Sequence, residues 1–250
     1  MSEISKIEWT NATWNPITGC HKVSLGCQNC YAERFANRFK GVRGHPFEQG
    51  FNIKLWRDRI ETPLSWRKPK RVFVNSMSDL FLEQVSDSYI LEVFQTMKKA
   101  DWHTYQILTK RAERMYTLLS SCLELNPFPN NIWLGVSVEN NDYVNRISIL
   151  KSVKCPNRFI SFEPLLGPIR YLNRLLTGID WVIVGGESGS KARAMKKDWI
   201  EDIYQVCSSK GIPFFFKQWG EYDEHGMRTG KKVAGRVYRG KTWNQIPAIQ

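Results

Sequence analysis

The chain has 250 residues, of which 42% are hydrophobic and 24% charged, and its formal net charge is +12 at pH 7. This balance is typical of a globular domain with a substantial core and excludes a disordered chain. No apolar run of about 18 residues occurs and no apolar signal segment opens the chain, so we expect a cytoplasmic protein without a membrane partner. The excess of positive charge indicates an anionic partner, most commonly DNA or RNA.

Short β-branched or aromatic runs alternate along the chain with amphipathic stretches. The runs predict strands at residues 71–75, 105–109, 132–138, 158–162, 181–184 and 213–217, and a first strand near residues 12–17. The amphipathic stretches predict helices at residues 88–100, 112–120, 143–153 and 197–210. Asp87 or Ser86 is expected to cap the first of these helices, and Gly211 to end the last.

Strands that alternate with helices predict parallel β–α–β units. We therefore expect an α/β fold, a partial or closed (β/α) barrel, with residues 1–220 in one domain. A doubly wound open sheet is the alternative, although no GxGxxG follows the first strand, which disfavours a dinucleotide-binding domain. Residues 221–250 are basic and contain several glycines, and we expect them to form a C-terminal extension packed on the barrel.

Each predicted strand ends on polar or glycine residues. In (β/α) barrels the carboxyl ends of the strands and the loops after them form the active site. One polar strand end is ordinarily a turn or a helix cap, but six in succession indicate a ligand site along one rim. The residues are Asn75, Ser76, Ser78 and Asp79, then Thr109, Lys110 and Arg111, then Ser137, Glu139 and Asn140, then Ser161 and Glu163, then Gly185, Gly186 and Glu187, and last Lys217, Gln218 and Trp219.

The segment 34–71 is a basic insertion in which aromatic residues lie between the cations. Basic groups neutralise phosphates, and aromatic faces stack on exposed bases, so this insertion is a candidate nucleic-acid surface. The residues expected to make these contacts are Arg57, Arg59, Arg67 and Lys68. The alternative is a solvated helical hairpin that covers one end of the barrel and buries its tryptophans.

Three of the six cysteines lie within eleven residues, with the spacing C-x6-C-x2-C at Cys20, Cys27 and Cys30. In a reducing compartment, clustered cysteines bind metal or carry out chemistry more often than they form disulfides. Gly19 and Gly26 each precede a cysteine and give the backbone of this loop, residues 19–31, freedom to fold around a metal centre. The remaining cysteines are expected to be small buried hydrophobes: Cys122, Cys155 and Cys207.

The number of clustered cysteines, three, helps to distinguish between the candidate metal centres. A structural zinc ion takes four protein ligands, whereas a cubane cluster held by three cysteines leaves one iron open to a substrate or cofactor. We therefore favour an iron–sulfur cluster. A zinc ion with His21 or His45 as its fourth ligand, and a loop without metal, remain the alternatives.

With three cysteines that end in CxxC and an aromatic residue, the loop resembles that of the radical S-adenosylmethionine (SAM) enzymes. The whole chain more closely resembles the phage-associated three-Cys-motif family of unknown function, which is radical-SAM-like. This resemblance rests on the segments WNPITGC, CxxCYAERFA, NSMSDLF, ILTKR, SVEN, SFEPLLGPI, VIVGGESG, FFFKQWGE and GKKVAGRVYRGKTWNQIP. The first cysteine gap is six residues, where radical SAM enzymes typically have three.

The resemblance implies a radical-SAM type of barrel in which the three cysteines hold a 4Fe–4S cluster and SAM binds its open iron. Reductive cleavage of SAM would then give methionine and a radical that takes hydrogen from the substrate. It also implies a set of SAM contacts, for which carboxylates pair with the ammonium and glycines allow close approach of the adenine. The residues in these positions are Tyr31 and the pair Gly185 and Gly186 at the adenine, Ser76, Ser78 and Asp79 at the amino group, and Ser137 and Glu139 at the ribose.

The other charged strand ends would face the substrate, and they are the candidate catalytic residues Lys110, Glu163, Glu187 and Lys217. By analogy with spore photoproduct lyase-like proteins, we expect modification or repair of a nucleic acid or nucleotide. An electron-donor protein and a second subunit are the further partners considered. Two other functions stay open: a zinc-stabilised nucleic-acid-binding protein without catalysis, and a barrel hydrolase or lyase whose cysteine loop is structural.

Overall fold

A computed structural model describes residues 5–248. Within them, one sheet contains seven parallel strands in the order β1-β4-β5-β6-β7-β8-β9, and two short antiparallel pairs, β2 with β3 and β10 with β11, lie outside it. The strands are β1 (Ala12–Trp14), β2 (Ile17–Thr18), β3 (Lys54–Leu55), β4 (Arg71–Val74), β5 (Thr104–Thr109), β6 (Ile132–Ser137), β7 (Asn157–Phe162), β8 (Trp181–Gly185), β9 (Phe214–Gln218), β10 (Val237–Tyr238) and β11 (Lys241–Thr242).

The helices lie between consecutive strands of the sheet or follow its last strand. They are α1 (Tyr31–Asn37), α2 (Asp87–Lys99), α3 (Ala112–Ser121), α4 (Asn145–Ser152), α5 (Leu172–Leu175), α6 (Lys197–Lys210) and α7 (Lys231–Ala234). No helix in residues 5–248 has both the length and the apolar character that a membrane crossing requires.

The sheet is a partial (β/α) barrel. The seven strands stand in the sheet in the same order as they follow one another along the chain. All neighbouring pairs are parallel, and this is the connectivity of a (β/α) barrel. Within the described residues β1 and β9 form its two ends and do not pair with each other. The predicted fold class is therefore confirmed in its partial form. The doubly wound alternative is wrong, because that fold requires the strand order to reverse.

Most predicted boundaries agree with the structure to within about two residues. Helix α6 begins and ends where predicted, because Gly211 takes a left-handed φ of 66° that stops it. The Ser86 side chain, not that of Asp87, caps α2 by accepting from the backbone N–H of Tyr89. Helix α4 starts two residues later than predicted, because the Asn140 side chain caps a separate 3-10 turn at Asn141–Tyr143.

The two faces of the sheet pack against different partners. The outer face packs against the helices in a large apolar cluster. Apolar residues on both faces explain why the strands read as continuous hydrophobic runs in the sequence. The inner face holds a second cluster inside the curl of the sheet, the inner aromatic cluster: Trp9, Phe73, Trp133, Phe159, Trp181, Ile183 and Phe215.

Toward the carboxyl ends of the strands the inner face becomes polar. Side chains alternate between the two faces of a strand, so Phe159 and Ser161 lie on the inner side of β7, and Glu163 follows directly after the strand. Strand β9 repeats the change, with Phe215 in the inner aromatic cluster and Lys217 beyond it. The barrel interior is therefore filled by aromatic side chains at one end and is lined by hydrogen-bonding groups at the other.

Both ends of the described chain join the barrel. Ile7 and Ile246 pack against the inner aromatic cluster, and the backbone of Asn244 bridges antiparallel to Phe215, which covers the edge of β9. The segment expected as an extension thus completes the barrel's packing. The first four residues of the expected domain and the last two of the extension lie outside the described residues.

Candidate active site

A cavity of about 410 Å³ opens at the carboxyl ends of the strands. Its volume lies within the range of about 300–1,000 Å³ that is typical of small-molecule sites. Its apolar floor includes Trp9, Phe73 and Leu108, and the walls above them are polar. The position is the one at which (β/α) barrels place their active sites.

All three clustered cysteines line this cavity. Cys20, Cys27 and Cys30 are half-buried free thiols, whereas Cys155 and Cys207 are buried and lie away from it. Burial raises the pKa of the Cys20 thiol to about 11, although the Arg111 guanidinium beside it acts in the opposite direction. Among residues 5–248, no group of three His, Cys, Asp or Glu side chains is arranged to hold a metal ion.

Hydrogen bonds to the turn after β4 fix both ends of the cysteine loop. The N–H of Gly19 donates to the Met77 carbonyl at 3.0 Å, and the Ser78 hydroxyl donates to the Gly19 carbonyl at 2.6 Å. At the other end, the Tyr31 hydroxyl donates to the Ser76 carbonyl. The expected SAM contacts Ser76, Ser78 and Tyr31 line the cavity and also position the loop.

Asp79 and Arg111 join the cysteine loop to the start of α3. The Asp79 carboxylate accepts hydrogen bonds from the Thr109 hydroxyl at 2.7 Å and from the Lys110 N–H at 3.1 Å. It also accepts from the Phe81 N–H and from Arg111 at 3.2 Å. Both carboxylate oxygens are thus engaged within the protein, which gives Asp79 a positioning role at the cavity wall.

Arg111 makes the direct contact with the cysteines. Its guanidinium lies 3.6 Å from the Cys20 sulfur and donates to the His21 carbonyl at 3.1 Å. The same group is held by the carboxylates of Asp79 and Glu83. A buried cation beside a thiol favours its thiolate form, which is the form that binds metals.

Glu139 lies under the cysteine loop and is absent from the described lining of the cavity. Its carboxylate is fully buried, accepts from Arg146 at 2.9 Å and accepts from the Ser24 hydroxyl. A Cβ on Gly26 would lie 2.6 Å from this carboxylate, so only glycine lets the loop pass so close. The structure therefore does not place Glu139 where a ribose in the cavity could reach it, because the loop covers it.

Glu187 fixes the opposite side of the loop. Its carboxylate accepts from Arg193 at 2.6 Å and from Asn29 at 3.1 Å, and Arg193 in turn donates to the Leu25 carbonyl at 2.9 Å. Burial acts to raise the pKa of the Glu187 carboxyl, but the hydrogen bonds from Arg193 and Asn29 outweigh it, so that the pKa is lowered. Glu187 is therefore ionised near neutral pH and holds the loop on the rim.

Lys110, Glu163 and Lys217 line the cavity, and part of each side chain is exposed. Lys217 and Glu163 form an ion pair, with 16% and 20% of their side chains exposed. The ammonium of Lys110 lies 3.9 Å from the nearer oxygen of Glu139, which already pairs with Arg146. These groups present charge that a bound molecule can reach.

The last residue of β8, Gly185, and the glycine after it, Gly186, meet different surroundings. A Cβ on Gly186 would lie 1.8 Å from the Trp219 carbonyl oxygen, so the turn after β9 can approach only glycine. A Cβ on Gly185 would point between Glu163 and Lys217 at 3.4 Å, which is ordinary contact.

Gly186→Ala is expected to lower the free energy of unfolding by about 1–3 kcal/mol, because the end of β8 or of β9 must move to admit the methyl group. Gly185→Ala is the matched control and is expected to change it by less than about 0.5 kcal/mol. Urea denaturation of both variants measures the difference. Equal effects would show that the close approach at Gly186 is not a constraint.

The structure does not bring the expected nucleic-acid residues to this cavity. Arg67 and Lys68 precede β4 and therefore lie at the amino-terminal end of the sheet, opposite the cysteines. Arg57 pairs with Glu92 on α2, and Arg59 stacks on the Trp56 ring at 3.6 Å. The insertion contains the end of α1, the short strand β3 and two short 3-10 segments, so the alternative of a helical hairpin is wrong.

Most of the other sequence-predicted site residues converge on one cavity. Besides the cysteines, the lining contains Tyr31, Ser76, Ser78, Asp79, Lys110, Ser137, Glu163, Gly186, Glu187 and Lys217, whereas Gly185 and Glu139 lie behind it. Arg146 and Arg193 were not among the predicted site residues, and they fix the loop from α4 and from the segment before α6. Nothing in their spacing marks them, since their partners are set by the fold.

Fold and site together define an α/β partial barrel with a three-cysteine loop on the carboxyl rim of its cavity. The chain belongs to the family described as "Protein of unknown function (DUF5131)", whose model matches residues 4–247. Comparison with curated proteins gives no match.

Among solved structures the chain is similar to spore photoproduct lyase complexed with dinucleoside spore photoproduct, at 15% identity, 76% of this chain, 58% of that chain and a TM-score of 0.42. A mutant of that lyase with bound AdoMet (SAM) and dinucleoside spore photoproduct is 15% identical, with 78% of this chain and 60% of that chain covered and a TM-score of 0.41. A further mutant is 12% identical, with 80% of this chain and 74% of that chain covered and a TM-score of 0.47. The chain spans 58% of the first of these structures, and similarity at this level concerns the fold alone.

Proposed function

We propose that the protein is a radical-SAM-like iron–sulfur enzyme that acts on a nucleic acid or nucleotide. The observation that carries this proposal is the position of the three cysteines. They lie on one short loop, are free thiols, and line a cavity formed by the carboxyl ends of parallel strands.

The residue types present are those that hold a cluster of this kind. Cys20, Cys27 and Cys30 would hold it, and Arg111 stands 3.6 Å from the Cys20 sulfur, where a cation stabilises thiolate charge. When bound, such a cluster supplies the electron for the reductive cleavage of SAM. The anchors of the loop, above all Glu139, Asp79 and Glu187, keep the three thiols facing the cavity.

The cavity residues have separate tasks in this proposal. The apolar floor excludes water from the reacting atoms, which protects a reactive intermediate from side reactions. Lys217 and Glu163 form an ion pair in which a proton can be held at the Lys217 ammonium. Lys110 places a further positive charge near the rim and can attract an anionic group of the substrate.

A nucleic-acid substrate has to approach on the cavity side of the barrel. Lys231 is exposed and lines the cavity, and Arg228 lies close to it in the chain, where it donates to the Ser190 carbonyl. Lys191 is exposed on the same segment as Ser190. These cations, and not Arg57, Arg67 and Lys68, are the proposed phosphate contacts.

Replacing Lys191, Arg228 and Lys231 with alanine is expected to flatten the salt dependence of binding to single-stranded DNA or RNA. The slope of log K against log salt should fall by about 0.7–0.9 for each phosphate that is no longer neutralised. The matched control replaces Arg57, Arg67 and Lys68 and should leave the slope unchanged. Fluorescence anisotropy at several salt concentrations measures both, and the reverse pattern would place the nucleic acid on the basic insertion.

The proposed activity is tested by anaerobic reconstitution of the protein with iron and sulfide, followed by incubation with SAM and a reductant. We expect 5′-deoxyadenosine to accumulate. A reconstituted protein that holds iron but forms none would mean that the cluster is structural or senses redox state. A protein that holds one zinc ion and no iron would favour the zinc-stabilised binding protein.

A further inference from the structure

Four residues that line the cavity carry a buried side-chain polar atom with no hydrogen-bond partner among the described residues. One is the indole Nε1 of Trp9 in the floor, and the other three are in the wall: the Asn75 Nδ2, the Ser161 hydroxyl and the Gln218 Oε1. The three wall residues are 3%, 0% and 4% exposed. Buried polar groups are nearly always paired in native proteins, so three in one cavity wall point to a ligand that pairs with them.

The hydrogen bonds of the Asn75 and Gln218 side-chain amides determine which end of each amide is free to bind a ligand. The Asn75 Oδ1 accepts from the Ile17 N–H at 3.3 Å, so the NH2 group is the free end. The Gln218 NH2 donates to the Ser188 hydroxyl at 2.7 Å and to the Gly186 carbonyl, so the oxygen is the free end. The set therefore offers one donor, one acceptor and a hydroxyl that can act as either.

The set lies just above the apolar floor of the cavity. Ser161 comes two residues after Phe159 of the inner aromatic cluster and two before Glu163. Trp9, Phe73 and Leu108 provide flat apolar surface beneath it. Aromatic floor and polar wall together suit a planar ring that is apolar on its faces and forms hydrogen bonds at its edge.

We propose that these three residues bind the neutral lactam edge of a pyrimidine base, such as uracil or thymine. The ring N–H donates to the Gln218 oxygen, and the flanking carbonyls accept from Asn75 and Ser161. A phosphate or carboxylate is disfavoured at Gln218, because the free amide oxygen can only accept hydrogen bonds and offers none to an anion. This assignment rests on the proposed function and narrows its substrate to a pyrimidine nucleotide.

Isothermal titration of the full chain with uridine tests the assignment without reductant or SAM cleavage. Ser161→Ala and Gln218→Leu are each expected to weaken uridine binding at least tenfold. N3-methyluridine, which lacks the ring N–H, should bind the unaltered protein at least tenfold more weakly than uridine. Gln49→Leu, at an exposed position, is the control and should bind as the unaltered protein does.

A second readout separates binding from support of the fold. Ser161→Ala removes a buried hydroxyl without a partner, so it should raise the urea midpoint of the ligand-free protein while it weakens uridine binding. A serine that only supports the fold would lower that midpoint. Asn75→Asp keeps the bond to Ile17 and the left-handed backbone at φ 59°, and should also weaken uridine binding.

Several outcomes would overturn the assignment. The first is the absence of uridine binding, and the second is equal binding of uridine and N3-methyluridine. The third is a Ser161→Ala variant that binds SAM more weakly but binds uridine as the unaltered protein does. The failure of the proposed function is distinct from these, since it would appear as absent 5′-deoxyadenosine with uridine binding intact.

Discussion

Replacing Cys27 with alanine is expected to remove the iron–sulfur absorbance of the reconstituted protein and to reduce 5′-deoxyadenosine formation to the level of a protein-free control. A cubane cluster with one open iron needs three cysteine thiolates, so the two cysteines that remain in this variant cannot hold it. Absorbance near about 400 nm and chromatography of the nucleoside product measure the two effects.

Cys122→Ala is the matched control for this substitution. Cys122 is a half-buried free thiol like Cys27, but it packs against the outer apolar cluster and does not line the cavity. It should keep the full iron content and activity. If Cys27→Ala retained both, the cysteine loop would not be the cluster site.

Replacing Glu139 with leucine is expected to lower the free energy of unfolding by about 3–5 kcal/mol, because it leaves the buried Arg146 without its partner charge. Glu139 is fully buried, and the Arg146 side chain is 6% exposed. The substitution also removes the acceptor of the Ser24 hydroxyl, so the cysteine loop should become accessible to hydrogen exchange. Urea denaturation and hydrogen exchange measure the two effects.

Two further variants test the reason given for this loss. Glu83→Gln alters an exposed carboxylate that also pairs with an arginine, Arg111, and should cost less than about 1 kcal/mol. Replacing Glu139 and Arg146 together with leucine should recover a large part of the stability, because no unpaired charge remains. A loss below about 1 kcal/mol for Glu139→Leu would show that the pair does not stabilise this end of the barrel.

The sequence was sufficient to predict the sheet and the rim of the cavity. Runs such as residues 132–138 are apolar on both faces, so they could be recognised as strands of a covered parallel sheet. Because parallel strands present their carboxyl ends at one edge, Lys110, Glu163 and Lys217 could be placed in one cavity before the structure was known. The parallel topology of the sheet was enough to predict that these three side chains lie near one another.

The sequence could not show which carboxylates are free to bind a ligand. Asp79 and Glu139 both follow strands, as ligand-binding carboxylates do, yet the oxygens of Asp79 bond to Thr109 and Arg111. Those of Glu139 bond to Ser24 and Arg146, which only the tertiary fold brings near. Whether a carboxylate already has all its hydrogen-bond partners depends on the folded site and cannot be read from the spacing of residues in the sequence.

The basic insertion is a second case, since the sequence could not show how its aromatic residues pack. Its composition favours nucleic acid, but stacking needs a free aromatic face. In the structure Lys54 and Arg59 lie over the Trp56 ring, and Trp66 is buried. Composition gives the charge of a segment but not the end of the barrel at which it lies.

The metal content of anaerobically isolated protein tests the central claim most directly. The three-cysteine loop on the rim of the cavity predicts about four iron atoms and four acid-labile sulfides per chain after reconstitution, together with a brown protein. One tightly bound zinc ion per chain, with no iron or sulfide taken up on reconstitution, would contradict it.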